Sequence, residues 1–273
     1  MKIENVIKKF NKELDYSCPK CKNLAKINNI SLKCINNHSY DFSKKGYIHL
    51  INNYKDSKYD EKLFKARNYV FSNGFYKQLL EEIKKFINER KSEIIVDLGC
   101  GEGYYIKELK EKYPETYFYG LDNAKSAIEY AVKYDKKNPY ILANLANIPF
   151  SDKTVDLILN ILSPANYEEF VRILKDDGLV LKIIPSSNYL KEIRNLLEID
   201  DYSNQETIDQ LSKFADIVKR NLVGKTYTLS KEDAENFLKM TPLSFSKEIS
   251  EKHIENLKEI TVELEMLILK LKK

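Results

Sequence analysis

The sequence predicts an α/β fold, a doubly wound, mostly parallel sheet preceded by a small cysteine-bearing module. Three observations predict it. An apolar run, Ile94-Ile95-Val96, ends in Asp97 and breaks into Gly99, Gly101 and Gly103, after which strand-like and helix-like segments alternate. Three of the 4 cysteines crowd into positions 18–34. The chain has 273 residues and 32.0 kDa, more than a single small module of ~150 residues accounts for.

Composition narrows the class further. With 43% hydrophobic and 32% charged residues the chain can bury a core, which excludes a disordered or fibrous protein. No apolar stretch approaches the ~18–20 residues of a membrane span, and Met1 to Phe10 lacks an apolar signal core, so the expectation is a cytoplasmic protein with no membrane partner. Residues 1–65 carry 14 Lys and no Arg against 7 Asp and Glu, a net of +7, which leaves −3 for the remainder. A basic front on a near-neutral body fits contact with a phosphate backbone, although lysine is scattered through the whole chain.

The first element is Cys18-Pro-Lys-Cys21, then twelve residues, then Cys34-Ile-Asn-Asn-His38. Two short chelate loops separated by a longer spacer can wrap a tetrahedral zinc ion from both sides. Four protein ligands close the site, so zinc through Cys18, Cys21, Cys34 and His38 is predicted to be structural. A redox pair at Cys18 and Cys21 would instead follow a strand at a helix N-terminus, which Tyr16, Ser17 and their polar neighbours do not resemble. Cys100 lies inside the glycine-rich stretch and reads as a small buried thiol.

Next come a connecting segment and a helix. Gly46 and Gly74 mark turns, and Lys58, Lys62, Lys65 and Arg67 form either a basic path or one solvated helix face. From Phe75 to Arg90 the stripe Phe75, Leu79, Ile83, Ile87 predicts a helix packed on the sheet.

The glycine run itself reads as buried strand, tight turn and helix N-terminus. Beyond it the pattern predicts strands at Thr116 to Leu121, Tyr140 to Ala143, Val155 to Ile161 and Leu179 to Ile184, with a helix at Ala124 to Tyr134. In such sheets a ligand sits at the carboxyl ends of the strands. Asp122 closes the second strand, where an acid can accept hydrogen bonds from ribose hydroxyls or cap the helix starting near Ala124. Asp97 is read as organising the turn, and Gly99 and Gly103 as serving close backbone approach or helix–strand packing.

The spelling DLGCGEG resembles motif I of class I S-adenosylmethionine-dependent methyltransferases rather than a dinucleotide fingerprint, and Leu145 to Phe150 followed by Val155 to Ile158 resembles their third and fourth motifs. Taken with the cysteine module, YSCPKC, LKCINNHSYDFSKKGYIHL, ARNYVFSNGFYKQL, VDLGCGEGYY, Pro149-Phe150-Ser151-Asp152 and Lys239-Met240-Thr241-Pro242 resemble the 23S rRNA (guanine-N1)-methyltransferases, over Tyr16 to Pro242. The resemblance implies a Rossmann-like class I methyltransferase domain behind an N-terminal zinc domain. It also implies RNA lying between the two and methylation of one guanine in a hairpin of 23S rRNA.

The same resemblance implies the zinc ligands named above and S-adenosylmethionine contacts from Tyr76, Gly101, Glu102 and Tyr189, the last after the Ile183-Ile184-Pro185 strand end. With Asp97, Gly99 and Asp122 these make the expected cofactor set. Family precedent implies a homodimer. The expected division is a zinc-binding, RNA-recognising part over 1–50, a linker and helix over 51–90, and the methyltransferase domain over 91–273.

The sequence designates no catalytic base. Asn160 and Ser163, in the stretch where substrate should meet cofactor, can hold a flipped base or satisfy their own loop. The competing readings are a methyltransferase for a small molecule and a non-catalytic RNA-binding module. Towards the end, Ile199 to Leu222 reads as helical and polar, Lys231 to Met240 as a helix, and Ile260 to Ile268 as a half-buried strand completing the sheet.

Overall fold

The computed structural model describes residues 2–10, 14–51 and 61–272. Its chain divides into two compact units, Met1–Lys58 with Lys91–Lys182 and Leu269–Lys273, and Tyr59–Arg90 with Ile183–Ile268.

In the first unit a short helix α1 (Ile3–Ile7) precedes four antiparallel strands, β1 (Tyr16–Ser17), β2 (Leu24–Asn28), β3 (Ser31–Cys34) and β4 (Ser39–Asp41), hydrogen-bonded in chain order. The register Ala25↔Cys34 and Asn28↔Ser31 makes β2 and β3 a tight hairpin. Strand β5 (Tyr47–His49) leaves this small sheet and pairs in parallel with a strand almost a hundred residues later, Tyr47↔Tyr140 and His49↔Leu142.

The second unit opens with two 12-residue helices, α2 (Glu61–Ser72) and α3 (Lys77–Asn88). The predicted stripe of α3 is buried at Leu79, Ile83 and Ile87, and Phe75 meets the rings of Tyr227 and Phe237 edge-on.

Back in the first unit, β6 (Ile94–Leu98), α4 (Tyr104–Lys112), β7 (Tyr117–Asp122), α5 (Lys125–Tyr134), β8 (Tyr140–Leu142), β9 (Val155–Ile161) and α6 (Tyr167–Ile173) give the predicted alternation. Strand β10 (Leu174–Pro185) follows α6 directly. Here the hydrogen-bonded order is β10-β9-β6-β7-β8-β5, with β6 parallel to both β7 and β9. All five residues of β6 are buried, as its unbroken apolar run requires of a central parallel strand.

In the second unit the end of β10 leads through α7 (Lys191–Leu196) and α8 (Gln205–Phe214) to β11 (Ala215–Thr228). Then come α9 (Lys231–Met240), a 3-10 turn at Pro242–Ser244, α10 (Glu251–Asn256) and β12 (Glu259–Leu271). The order is β11-β12-β10. Helix α9 covers the predicted residues and starts on a capping box, Ser230 and Asp233.

One expectation fails here, since Ile199 to Leu222 is not one helix: the helix ends at Phe214 and Ala215 begins a strand of 14 residues. The strand is legible afterwards in Val218, Val223, Thr226, Tyr227 and Thr228, types that suit extended backbone. Its edge position leaves most of it exposed, so no clean two-residue alternation marked it. Strand β12 completes the sheet as expected, but it is buried on both faces rather than half-buried, with the alternating polar residues Thr261 and Glu265 inside as well. Among the described residues no helix is long and apolar enough to cross a membrane.

Candidate functional site

The cysteine module folds into two matching knuckles. In the first, Lys22 takes a left-handed conformation (φ 62°) and its amide donates to the Cys18 carbonyl at 2.9 Å; in the second, Asn37 is left-handed (φ 63°) and its amide donates to the Cys34 carbonyl at 3.0 Å. The β2–β3 hairpin carries the second knuckle back to the first. The ligand atoms of Cys18, Cys21, Cys34 and His38 consequently lie within 4.8 Å of one another.

Their spacing fits the ion. Cys21 Sγ and Cys34 Sγ are 3.8 Å apart, and His38 Nδ1 stands 3.5 Å from Cys18 Sγ and 3.4 Å from Cys34 Sγ. Ligands about 2.3 Å from zinc at tetrahedral angles give sulfur–sulfur edges of about 3.8 Å. The Asn23 backbone amide draws the Cys21 thiol down to about 6, toward the thiolate a metal needs. Tyr40, which the sequence reading did not single out, stands with its hydroxyl 3.5 Å from Cys18 Sγ and can orient that ligand.

The first knuckle is also fastened within its unit. Asn147 donates from Nδ2 to the Pro19 carbonyl at 2.7 Å and accepts from the Lys22 ammonium. Ser17 donates its amide to the Pro149 carbonyl at 3.2 Å, and Tyr16 lies against Phe150, ring centroids 5.9 Å apart.

The glycine bend closes β6. Gly99, Gly101 and Gly103 all have left-handed φ (83°, 54° and 74°), a region that costs other residues ~1–2 kcal/mol. Space is a second requirement. A Cβ on Gly103 would stand 2.2 Å from the Tyr140 hydroxyl, and one on Gly99 would stand 1.9 Å from Ser163 Oγ. The amides of Gly99 and Cys100 donate to the Leu121 carbonyl, tying the bend to the end of β7.

Asp122 has both roles of a turn organiser, accepting from the Gly101 amide at 2.9 Å and from the Ala124 amide at 2.8 Å, one on each oxygen. Asp97 and Glu102 are buried beside the bend. Burial pushes the Cys100 thiol far up, the state of an inert structural thiol.

Topology gives this bend its chemical meaning. Successive strands run from β6 through β7 to β8 on one side, whereas β9 returns to the other side of β6, so the order reverses between β6 and β9. Such a switch point opens a crevice at the carboxyl ends of the two strands. Those ends are Leu98-Gly99 and Ile161-Leu162-Ser163-Pro164.

Asn160 is fully buried and holds its own framework: Nδ2 donates to the Leu98 carbonyl (2.9 Å) and to the Pro164 carbonyl (3.1 Å). Its amide is spent on the loop, the second of the two roles weighed above. Behind it lies Lys182, 4% exposed, donating to Asn160 Oδ1 at 2.6 Å and to the Ser163 carbonyl at 3.2 Å. Desolvation holds this amine down at about 8. Sequence reasoning passed over Lys182, although a lone lysine in the run Leu179-Val-Leu-Lys-Ile-Ile-Pro185 was a signal.

Tyr76 and Tyr189 belong to the second unit, where their hydroxyls are 2.6 Å apart. Arg194, 5% exposed, donates to the Ser187 and Tyr189 carbonyls and so fixes the loop that carries Tyr189. Arg67 lies 5.6 Å above the Phe71 ring, and Lys65 pairs with Glu61 on its own helix; Lys58 lies outside the described residues.

Comparison with known proteins adds findings of three kinds. Residues 95–178 match the family model described as "Methyltransferase domain", and residues 16–58 match the zinc-ribbon model described as "RlmA, N-terminal". YxjB of Bacillus subtilis (strain 168), whose name assigns it to the 23S rRNA (guanine-N(1)-)-methyltransferases, is 32% identical over 272 residues, 93% of this chain and 96% of that protein. The 23S rRNA (guanine(748)-N(1))-methyltransferase of Streptomyces fradiae is 24% identical over 86% of this chain and 87% of its own length. Among solved structures, the YcgJ protein from Bacillus subtilis is 16% identical with a TM-score of 0.47, covering 71% of this chain and 97% of that one.

Proposed function

This chain belongs to the 23S rRNA (guanine-N1)-methyltransferase family, and from that premise we propose how its residues share the work. It is an S-adenosylmethionine-dependent methyltransferase with a zinc ribbon, acting on N1 of a guanine in a 23S rRNA hairpin. The observation that carries the reading is the union in one chain of a closed Cys3His cluster and a glycine bend at the sheet's switch point, in a chain 93% covered by a family relative.

S-adenosylmethionine, when bound, would supply a sulfonium methyl open to in-line displacement by guanine N1, with S-adenosylhomocysteine as the leaving group and the N1 proton released. The chain's residues bind and align. Gly99, Gly101 and Gly103 bring backbone close to the cofactor, Asp122 holds the bend and, as the acid closing the second strand, meets the ribose hydroxyls, and Asp97 and Glu102 give the bend an acidic flank. For Tyr76 and Tyr189, a hydroxyl-linked pair in the second unit, the family resemblance is what supports a cofactor contact. The loop after β9 receives the base. Alignment alone can supply ~7–11 kcal/mol of barrier reduction for such a displacement.

Zinc in a closed four-ligand site offers no position to substrate, so its contribution is folding energy and a stiff, lysine-bearing ribbon for the phosphate backbone. Residues 1–50 are assigned to zinc and RNA, 51–90 to the connection and 91–273 to the cofactor. A ribosomal RNA substrate is consistent with the cytoplasm, and family precedent supports a homodimer, which light scattering tests.

Large-subunit RNA from cells lacking the enzyme should accept one labelled methyl group from S-adenosylmethionine, and nucleoside mass spectrometry should identify it as N1-methylguanine. Transfer to a small molecule alone overturns the RNA assignment. Failure of the cofactor to bind in calorimetry overturns the enzyme.

A further inference from the structure

Five groups are tied into one knot where β6 and β9 end: the Lys182 ammonium, the Asn160 amide and the carbonyls of Leu98, Ser163 and Pro164. Lys182 on β10 donates to Asn160 Oδ1 on β9 and to the Ser163 carbonyl. Asn160 in turn donates to the Leu98 carbonyl at the end of β6 and to the Pro164 carbonyl. Lys182 and Asn160 are 4% and 0% exposed, so neither reaches a substrate. Between them the loop makes an unfavourable turn, with Leu162 left-handed at φ 51° and 39% exposed. Ser163 is seated where a Cβ on Gly99 would collide with its hydroxyl, so the two segments that form the crevice walls are in contact.

A buried ammonium is an expensive way to hold a loop. Replacing the lysine by an aliphatic residue would remove the desolvation cost, so stability alone does not account for it. What a charged donor adds is direction. It fixes which way the Asn160 amide faces, and that orientation decides whether Nδ2 can bridge Leu98 and Pro164 at once.

We propose that Lys182 is a positioning residue for methyl transfer, orienting Asn160 so that the Leu162–Pro164 loop is held in register with the glycine bend. The assignment rests on the methyltransferase reading above. The base-receiving loop and the cofactor bend then move as one piece, and the acceptor nitrogen meets the methyl carbon at the required distance. Misplacement by about 1 Å costs on the order of 100-fold in rate.

The test uses the full-length, zinc-loaded protein with S-adenosylmethionine and large-subunit RNA. Lys182→Met should lower kcat by about 10- to 100-fold while KM for RNA and the cofactor Kd stay within about threefold. Asn160→Ser leaves the lysine and removes the bridge; it should lose kcat to a similar extent, and the double variant should lose no more than either single one. Lys182→Ala should recover part of its kcat when propylammonium is added and none with propanol, a readout that a purely structural lysine would not give.

Undiminished kcat in Lys182→Met, additive losses in the double variant, or losses that track melting temperature and cofactor Kd would each overturn the assignment. Should Lys182→Met fail to fold, Asn160→Ser and the propylammonium response of Lys182→Ala decide. A wild-type protein that methylates no RNA overturns the functional reading and this inference together, whereas an active wild type with an unaffected lysine variant overturns the inference alone.

Discussion

A methyl group added to Gly99 would stand 1.9 Å from Ser163 Oγ, which makes this glycine a contact between the end of β6 and the loop after β9. Gly99→Ala should therefore lose cofactor affinity by more than tenfold, on the order of 1.4 kcal/mol or more, through both the left-handed φ of 83° and the collision. Adding Ser163→Gly should restore the part due to collision and leave the backbone part. Calorimetry with S-adenosylmethionine on both variants checks it; equal losses would mean that only the dihedral matters.

Asp122 offers a cleaner separation of roles. Asp122→Asn keeps the shape but leaves one oxygen to serve two backbone amides, which should cost about 1–2 kcal/mol of stability. If the carboxylate also meets ribose, cofactor affinity should fall as well, by about tenfold. A variant that melts earlier but binds the cofactor normally would confine Asp122 to the turn.

Metal content gives a third prediction. Atomic emission should find one zinc per chain, and a strong chelator should remove it with a fall in melting temperature, since binding energy in a closed site is folding energy. Tyr40→Phe should keep the zinc but release it faster to chelator, by about 10-fold, because the Cys18 ligand loses an orienting hydroxyl. Zinc-free protein that melts as before would make the cluster ornamental.

The fourth prediction concerns pH. Lys182 is held at about 8 by burial, against an unfolded value of about 10.4. Below pH 8 the amine is charged in both states and the native state bears the whole desolvation cost. Between pH 8 and about 10 the native state gives up a proton that the unfolded chain keeps, so this group adds stability as pH rises, up to roughly 3 kcal/mol. Urea unfolding at pH 7.5 and pH 9.5, compared with Lys182→Met, isolates it. A difference between the two proteins that does not change with pH would refute the depressed value.

Local chemistry was legible in the sequence, and distant partnership was not. The Cys18-Cys21-Cys34-His38 cluster follows from spacing because each knuckle is three to four residues long and its geometry is decided within itself. The glycine bend announces itself for the same reason. Asn147 against Pro19, and Lys182 against Asn160, are separated by 128 and 22 residues, and nothing in a single sequence pairs them. Strand β11 was misread because an exposed edge strand has no buried face to stamp a period on its residues. Tyr189 is named only through family resemblance, and its hydroxyl stands 2.6 Å from that of Tyr76, a pairing no spacing rule announces.

Strand β5 has a practical consequence for anyone dissecting this protein. Tyr47, Ile48 and Leu50 are buried, and residues 47–49 cover the outer edge of β8. A fragment begun at residue 51 to obtain the catalytic part alone would strip that edge and expose unpaired amides and an apolar face, the usual recipe for aggregation. Expression trials should begin before Tyr47, and a failure of the shorter piece would speak of a missing strand rather than of missing zinc.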